Sequence, residues 1–249
     1  DKKLIQDRIK TSDAPVVLHL AAKADVDGCE KDKELGEEGD AWKINVVGTE
    51  NIAQVCSQAN KKLLYISTDF VFDGQKESGY EETDTPNPVN WYGKTKHEGE
   101  RAIQKNGLNF IVARIAYPYR ANYSLKKDFA RGLIEKLKTG EPLSMVTDHI
   151  MTPTFVDDIA NALDTLIQKD ERGIFHVVGS QQVSPYAAAL LIADIFGFDK
   201  LRIGKTTLEE FFKGRAQRGF NLYLKNDRIK TLGINMRTFE EGLKEIKNQ

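Results

Sequence analysis

Several features are scarce in this 249-residue chain, and each scarcity narrows the classes of protein to consider. Only two cysteines occur, Cys29 and Cys56, without metal spacing or a disulfide framework. We therefore interpret both as core thiols of a reducing, cytoplasmic protein. The four histidines show no metal-ligand spacing either, so we predict no metal site. No apolar run approaches the ~20 residues of a membrane span, and no basic-then-apolar leader is visible.

Charge of one sign is also lacking. Lysine and arginine number 36 against 37 aspartate and glutamate residues, for a formal net charge of -1. No global field therefore recruits nucleic acid or an anionic membrane, although a local pocket for one anionic ligand is compatible with this balance. With 40% hydrophobic residues and this length, the chain can bury a large core in one domain plus a smaller lobe.

Apolar runs alternate with helical patterns along the chain, and this alternation predicts an α/β fold with a mainly parallel sheet. The run at 16–22, rich in β-branched residues, is typical of a buried parallel strand that ends at a ligand crevice. Further strands are predicted at 61–67, 110–115 and 174–179, and helices at 1–10, 40–60, 129–137 and 185–196. The chain begins at Asp1, without a methionine, and we expect an N-terminal piece to be absent.

The most informative pattern is a pair of separated motifs that brings a Thr, a Tyr and a Lys into one site. Thr68 follows the second predicted strand, and Tyr92 and Lys96 lie four residues apart on a helix that Asn90 is expected to cap. The Thr hydroxyl and Tyr phenol can stabilise an oxyanion during hydride attack on a ketone, with Tyr92 delivering the proton. The Lys96 charge would favour the phenolate and lower the Tyr92 pKa. Alone, however, a Tyr and a Lys at this spacing occur by chance on many helices.

Ligands of open α/β sheets bind outside the carboxyl ends of the strands. Three short segments follow predicted strands, so we expect them to meet at one edge of the sheet; they are 21–22, 67–69 and 116–117. Small side chains at Ala21 and Ala22 would let a dinucleotide approach the backbone, although two alanines can equally end a core strand. Arg215 and Arg218 lie in a polar stretch and suit bidentate diphosphate binding, with solvated loop arginines as the alternative.

The motifs together resemble the extended short-chain dehydrogenase/reductases, and within them the dTDP-4-dehydrorhamnose reductase family. The resemblance spans nearly the whole chain, and its most specific part is Ser-Thr-Asp-Phe-Val-Phe-Asp-Gly at 67–74. The other matching segments are His-Leu-Ala-Ala at 19–22 with Val26-Asp27, Asn-Val-Val-Gly-Thr-Glu-Asn at 45–51, the segment 88–100, and Thr-Pro-Thr-Phe-Val-Asp-Asp-Ile-Ala at 152–160.

The resemblance implies a role for each matching site residue. Thr68 would bind the substrate oxygen, Tyr92 would donate the proton, and Lys96 would hold the nicotinamide ribose. The positions implied to contact the cofactor are Ala21, Ala22, Lys23, Asn45, Ser67, Tyr92 and Lys96, with a structural or water-holding role for Asn45. The positions implied to contact the substrate are Thr68, Asp69, Phe70 and Tyr117, to which we add Arg215 and Arg218.

Two features of the chain depart from the family pattern. The family commonly has Tyr at the Phe70 position and Trp at the Tyr117 position, so we expect a change in which sugar is accepted. The Gly-x-x-Gly-x-x-Gly turn that cradles the cofactor pyrophosphate is missing, and with it the segment that selects NADP or NAD. We therefore predict a Rossmann-like NAD(P)-binding domain over 1–180 that lacks its N-terminal strands. A small, mainly helical substrate lobe would follow over 181–249, with some substrate contacts from 116–160.

The function implied is NADPH- or NADH-dependent reduction of a nucleotide-linked 4-keto-6-deoxy sugar, as in dTDP-L-rhamnose synthesis. Two alternatives stay open: a sugar-nucleotide epimerase or dehydratase on the same scaffold, and a non-catalytic subunit resembling the regulatory beta subunit of methionine adenosyltransferase. The expected partner is a nucleotide-sugar substrate rather than nucleic acid or a membrane, and a homodimer is an assembly that the sequence allows.

Overall fold

The structure is a computed structural model, and it describes residues 2–107, 109–121 and 127–249. Within these residues the strands are β1 (Val16–His19), β2 (Lys62–Thr68), β3 (Phe110–Ile115), β4 (Pro118–Tyr119), β5 (Leu143–Val146), β6 (Thr154–Phe155), β7 (Gly173–His176) and β8 (Ile203–Thr206). The α-helices are α1 (Lys2–Thr11), α2 (Val26–Lys31), α3 (Asp40–Trp42), α4 (Thr49–Gln58), α5 (Trp91–Lys105), α6 (Phe129–Lys138), α7 (Val156–Gln168), α8 (Pro185–Phe196), α9 (Leu208–Phe211), α10 (Asp227–Thr231) and α11 (Phe239–Asn248).

The main sheet is parallel throughout and has the strand order β1-β2-β3-β7. Its register pairs Leu18 with Leu64, Leu64 with Ile111, and Ile111 with Gly173. Strands joined by helical crossovers give this arrangement because parallel neighbours need a long connection. The predicted α/β class with a mainly parallel sheet is confirmed.

The first strand differs from its prediction in length and burial. The apolar run at 16–22 becomes a strand only over β1, and Leu18 is 50% exposed. In the described sheet β1 is an edge strand, so its outer side lacks the second neighbour that buries β2 and β3. The expectation of a buried strand is therefore wrong here, although its parallel pairing is confirmed.

The region 40–60 is helical as predicted, but not uniformly so. A π-helical stretch, Lys43–Gly48, separates α3 from α4. Such widened turns are rare and often occur at functional sites. This one carries the buried residue Asn45, which the resemblance had singled out.

Two large apolar clusters hold the molecule together. One packs α7 and the segment 229–236 against the main sheet, with Phe175 and Leu166 fully buried. The other packs α6, α8 and α11 around the small parallel pair β5-β8, with Phe239 and Ile192 at its centre. The second cluster also includes Tyr119 and Phe155, from the parallel pair β4-β6.

Both clusters combine residues from before and after residue 180, the predicted boundary between the two domains. That boundary stays a prediction. Tyr119 and residues of the range 129–155 contribute to the second cluster, whereas residues of the range 229–236 pack against the main sheet. In the described ranges, no helix combines the length and the apolarity that crossing a membrane requires.

Candidate active site

The carboxyl ends of β1, β2 and β3 meet at one edge of the main sheet and border a cavity of about 450 Å³. Nine of the residues selected from the sequence line this cavity: Ala22, Ser67, Thr68, Asp69, Phe70, Tyr92, Lys96, Tyr117 and Arg218. Four others do not line it: Ala21, Lys23, Asn45 and Arg215. The cavity therefore has the location expected for a ligand site in an open α/β sheet.

Helix α5 begins where the sequence predicted. The Asn90 side-chain oxygen accepts a hydrogen bond from Gly93 N at 2.8 Å, which satisfies one free donor of the first turn. The backbone of Gly93 packs tightly against the Phe70 carbonyl oxygen, since a Cβ added at this position would lie 2.0 Å from that oxygen. Only glycine permits this approach, which sets the first turn of α5, including Tyr92, directly beside the segment that follows β2.

Thr68 and Tyr92 line the same cavity. Thr68 is buried, and Tyr92 is half-buried. The Phe70 ring meets Tyr92 edge-on, with ring centroids 5.7 Å apart. Burial raises the pKa of Tyr92 well above its usual value, against a smaller lowering effect of the Thr68 side chain. Tyr92 is thus a protonated phenol, the form that a proton donor requires.

Lys96 lies one turn after Tyr92, but its ammonium group interacts with other neighbours. Its Nζ donates to the Ile66 carbonyl oxygen at 2.7 Å and lies 4.0 Å from the centre of the Tyr65 ring. Burial lowers the pKa of Lys96 to about 7, although the nearby Glu100 carboxylate raises it. The expectation that Lys96 lowers the Tyr92 pKa is therefore wrong for this structure, in which burial dominates the phenol. An ammonium has three donors, so Lys96 retains capacity for a further acceptor.

Asp69 is the least solvated acid at the cavity. It is 2% exposed, and its Oδ1 accepts the Thr68 hydroxyl proton at 2.9 Å. Among the described residues its Oδ2 has no hydrogen-bond partner. Burial raises the pKa of Asp69 to about 7, against the lowering effect of the Thr68 hydrogen bond.

Asn45 and Lys23 lie behind the cavity wall rather than in it. Asn45 accepts a hydrogen bond from Lys23 N at 2.8 Å and donates to Lys23 O and to Thr95 Oγ1 at 3.0 and 2.9 Å. This amide ties the loop after β1 to α5. Lys23 Nζ pairs with Asp32 at 2.8 Å, away from the cavity. The role in cofactor binding implied for these two residues stays a prediction, while a structural role for Asn45 accounts for all of its contacts.

Tyr117 has an unusual backbone conformation at the cavity. Its φ is +40°, a region that non-glycine residues rarely adopt and that often marks a functional site. His149 Nδ1 donates to the Gly219 carbonyl oxygen at 2.8 Å, which leaves Nε2 to accept from the Tyr117 hydroxyl at 3.0 Å. The Tyr117 hydroxyl is thus engaged by His149, and its ring forms part of the wall.

The two predicted arginines are held by a carboxylate that sequence reasoning had given no role. Asp27 accepts hydrogen bonds from Arg215 Nε at 2.8 Å and Nη2 at 2.5 Å, and Arg218 Nη1 lies 2.7 Å from the other Asp27 oxygen. The hydrogen bonds from Arg218 hold the pKa of Asp27 far below its usual range. Only Arg218 borders the cavity, since Arg215 lies in an adjacent surface pocket. A role of this pair in diphosphate binding stays a prediction.

Sequence reasoning also missed a buried ionic network beneath the site. Arg114 of β3 donates to both oxygens of Glu100 on α5, at 3.0 and 2.7 Å, and contacts His176 Nε2 at 3.4 Å. The side chains of Arg114 and Glu100 are 1% and 0% exposed. A charged residue inside the apolar run 110–115 was the signal for this network. In the part of the chain that the structure describes, no group of three or more His, Cys, Asp or Glu side chains is placed to bind a metal.

Comparison with known proteins identifies relatives along the entire chain. The family model of the RmlD substrate binding domain matches residues 1–249. Methionine adenosyltransferase 2 subunit beta from Bos taurus is 34% identical over 238 residues, which cover 92% of this chain and 69% of that protein. A dTDP-4-dehydrorhamnose reductase from Sinorhizobium fredii is 27% identical over 256 residues, covering 98% and 83%. The crystal structure of dTDP-4-dehydrorhamnose reductase from Bacillus anthracis in complex with NADP superimposes with a TM-score of 0.89 at 29% identity, covering 100% and 85%.

The family resemblance predicted from the motifs is confirmed by these matches. The oxidoreductase class and the nicotinamide cofactor are confirmed at the level of the family, which includes a reductase solved with NADP. The contacts assigned to individual residues stay predictions.

Proposed function

The chain belongs to the RmlD substrate binding domain family, and we propose that it is an NAD(P)H-dependent reductase of a nucleotide-linked 4-keto-6-deoxy sugar. The observation that carries this proposal is the meeting of Thr68, Tyr92 and Lys96 on the wall of one cavity at the carboxyl end of a parallel sheet. A ketone reductase needs a proton donor and hydrogen-bond donors at the oxygen that becomes charged. Tyr92 and Thr68 supply both.

The cavity residues also fit a nicotinamide cofactor, which would supply the hydride. The small side chain of Ala22 leaves room beside the loop after β1, and Ser67 and Lys96 lie on the same wall. Lys96 has donor capacity beyond its bond to Ile66, so it would hold a ribose hydroxyl. Tyr92 would donate its proton to the sugar oxygen while Thr68 orients that oxygen.

The arginine pair supports a substrate with a phosphate group. Arg218 borders the cavity and Arg215 lies next to it, so a diphosphate bound there would be close to both guanidinium groups. Asp27 would have to share or release these groups when the phosphate binds. A cytoplasmic location, which the two free thiols favour, is part of this proposal.

A second candidate is a regulatory subunit without turnover. It is favoured by one observation, the 34% identity to methionine adenosyltransferase 2 subunit beta, which exceeds the 27% identity to the Sinorhizobium reductase. In this case the protein would bind the nicotinamide cofactor and co-purify with a methionine adenosyltransferase. An epimerase or dehydratase would also bind the cofactor but would not consume it, because the hydride returns to the sugar.

The test is oxidation of NADPH and NADH by the complete protein on dTDP-4-dehydrorhamnose, with Tyr92→Phe as the variant. We expect one cofactor oxidised per product, and a kcat that falls by about 10²–10⁴-fold in the variant with little change in KM. Tyr186→Phe is the matched control, because Tyr186 lies on α8 outside the cavity. Cofactor binding without oxidation, together with capture of a methionine adenosyltransferase, would favour the regulatory subunit.

A further inference from the structure

The ammonium group of Lys96 lies over the face of an aromatic ring to which the proposed reaction gives no role. Lys96 Nζ is 4.0 Å from the centre of the Tyr65 ring, and the two residues are only 2% and 0% exposed. The face of an aromatic ring carries partial negative charge, so it attracts a cation placed above it. This attraction is stronger when both groups are removed from water, as they are here.

Strand β2 supplies two successive contacts to this ammonium group. Tyr65 offers its ring, and the carbonyl oxygen of the next residue, Ile66, accepts a hydrogen bond from Lys96 Nζ at 2.7 Å. An ammonium has three N–H donors, of which the Ile66 carbonyl takes one. The ring and the carbonyl together hold the nitrogen against the strand, which leaves donor capacity for a group bound in the cavity that Lys96 lines.

The Tyr65 ring is itself fixed by helix α5 and strand β1. Gly99 lies three residues after Lys96, on the same face of α5, and a Cβ at Gly99 would lie 2.8 Å from the Tyr65 hydroxyl oxygen. Glycine at this position thus leaves the space that the phenol occupies. On the β1 side, the centre of the His19 ring lies 5.2 Å from that of Tyr65. Contacts on two sides therefore hold the ring next to the ammonium group.

Pairing with an acid does not explain the position of Lys96. Glu100 is an acid whose charge acts on Lys96, but both of its oxygens are bound by Arg114. The ion pairs found among the described residues do not include Lys96. Burial lowers the pKa of Lys96 to about 7, so near neutral pH a neighbour that favours the charged form increases the share of ammonium. The Tyr65 ring is such a neighbour.

We propose, on the basis of the function proposed above, that Tyr65 is a positioning residue whose ring face holds the Lys96 ammonium group where it donates to a ribose hydroxyl of the nicotinamide cofactor. A lysine side chain is long and flexible, so an unsupported ammonium group would occupy many positions. The ring restricts this freedom before the cofactor arrives, and less disorder is lost on binding. Tyr65 does not line the cavity, so it acts through Lys96.

A role in packing alone is the alternative, because Tyr65 belongs to an apolar cluster with Leu63, Ile103 and Val112. The two roles differ in whether the charge on the ring face matters. Fluorination of a phenylalanine ring withdraws negative charge from its face with little change in shape. Among the described residues the Tyr65 hydroxyl has no hydrogen-bond partner, so phenylalanine at this position is a suitable parent for a fluorinated series.

Titration of NADPH into the complete protein, followed by the fluorescence of the bound cofactor, tests the ring. Position 65 carries tyrosine, phenylalanine, or phenylalanine with one, two or three ring fluorines introduced by nonsense suppression. We expect Tyr65→Phe to bind NADPH within about twofold of the wild type, and the Kd to rise with each fluorine, to about 10-fold with three. Phe239→Leu removes an equally buried ring from the second cluster and should leave the Kd unchanged.

Combining these changes with Lys96→Met shows whether Tyr65 acts through the ammonium group. Lys96→Met should weaken NADPH binding, and in that background phenylalanine and trifluorophenylalanine at position 65 should give the same Kd.

A second readout needs neither cofactor nor substrate. Proton–carbon NMR of protein labelled at the lysine Cε atoms detects Lys96 as the signal that Lys96→Met lacks. Nuclei above a ring face are shielded, so this signal should be shifted upfield in the wild type and in Tyr65→Phe but not in Tyr65→Leu. If Tyr65→Leu does not fold, the fluorinated series still decides the question, because it keeps the shape of the ring.

Three outcomes would overturn the positioning role and leave Tyr65 as a packing residue. They are equal NADPH affinity across the fluorinated series, a fluorine effect that persists with Lys96→Met, and a Lys96 signal that is the same in the wild type and in Tyr65→Leu. Binding of NADPH with the expected dependence on the ring, but without oxidation on dTDP-4-dehydrorhamnose, would support the positioning role while the reductase function fails. A wild type that binds no NADPH would overturn both.

Discussion

The buried pair of Arg114 and Glu100 provides the most quantitative test of how the site is held together. Both side chains are almost completely buried, and two hydrogen bonds of 3.0 and 2.7 Å join the guanidinium to the carboxylate. Replacing Arg114 by Met would remove the bidentate partner of the buried Glu100 carboxylate on α5 and leave it with His97 Nδ1, 3.7 Å away. Removal of one partner from such a pair costs about 3–5 kcal/mol. We therefore expect Arg114→Met to lose this amount of unfolding free energy.

The pH dependence of that loss can be derived from the Glu100 pKa. Burial acts to raise this pKa, but the hydrogen bonds from Arg114 outweigh it and hold the pKa at about 2. Without Arg114 the folded-state pKa rises above the unfolded value of 4.5, so the folded state binds a proton that the unfolded state has released. Stability of the variant should therefore fall as pH rises above about 4.5, and the loss should be larger at pH 8 than at pH 5.

Urea unfolding followed by circular dichroism at pH 5 and pH 8 measures this loss. The control is the double variant Arg114→Met with Glu100→Met, in which apolar side chains fill the space of both partners. It should recover most of the lost stability, because well-packed apolar replacements of buried pairs are often neutral. A loss under about 1 kcal/mol for Arg114→Met, or a double variant as unstable as the single one, would refute this reasoning.

Two glycine substitutions test the local geometry. Gly93→Ala should destabilise the protein by about 1–3 kcal/mol and lower its activity, because the added Cβ would lie 2.0 Å from the Phe70 carbonyl oxygen. Gly132→Ala on α6 has open space around it and should stabilise the protein by about 0.5–1 kcal/mol. Equal effects of the two substitutions in thermal denaturation would contradict this contrast. Burial, assisted by the nearby arginine charge, lowers the pKa of His176 from 6.5 to about 3, so between these values the unfolded state binds a proton that the folded state does not. The unfolding free energy should therefore fall as pH falls from 6.5 towards 3. In urea titrations, His176→Gln should reduce the slope of unfolding free energy against pH by about 1.4 kcal/mol per pH unit. An unchanged slope would show that His176 does not titrate as described.

Local sequence signals were enough to predict most of the sheet and the helix that carries the candidate site. The apolar run at 110–115 became β3 over the same residues, and Asn90 caps α5 as its side-chain chemistry suggested. The motif residues Thr68, Tyr92 and Lys96 reached one cavity because the ends of parallel strands meet at the same edge. Periodicity and capping depend on near neighbours in the chain, which is why they could be read directly.

The parts that could not be predicted depend on contacts between distant segments. Asp27 interacts with Arg215 and Arg218, which lie at least 188 positions later in the sequence. Neither segment contains a local signal that identifies the other as its partner. The direction of the Tyr92 pKa was mispredicted for a related reason. Spacing on the helix brings Lys96 near, but burial by the surrounding fold decides the charge state. Tertiary environment therefore determines the chemistry of residues whose positions the sequence reveals.

The most direct test of the proposed reductase follows the hydrogen rather than the cofactor. NADPH carrying deuterium at both C4 positions of the nicotinamide is incubated with the complete protein and dTDP-4-dehydrorhamnose, and the sugar product is examined by mass spectrometry and NMR. We expect one deuterium at the sugar C4 for each NADPH oxidised, and almost no labelled product with Tyr92→Phe. A product without deuterium, or label transfer that is equally fast without the Tyr92 hydroxyl, would contradict the proposed reduction at this site.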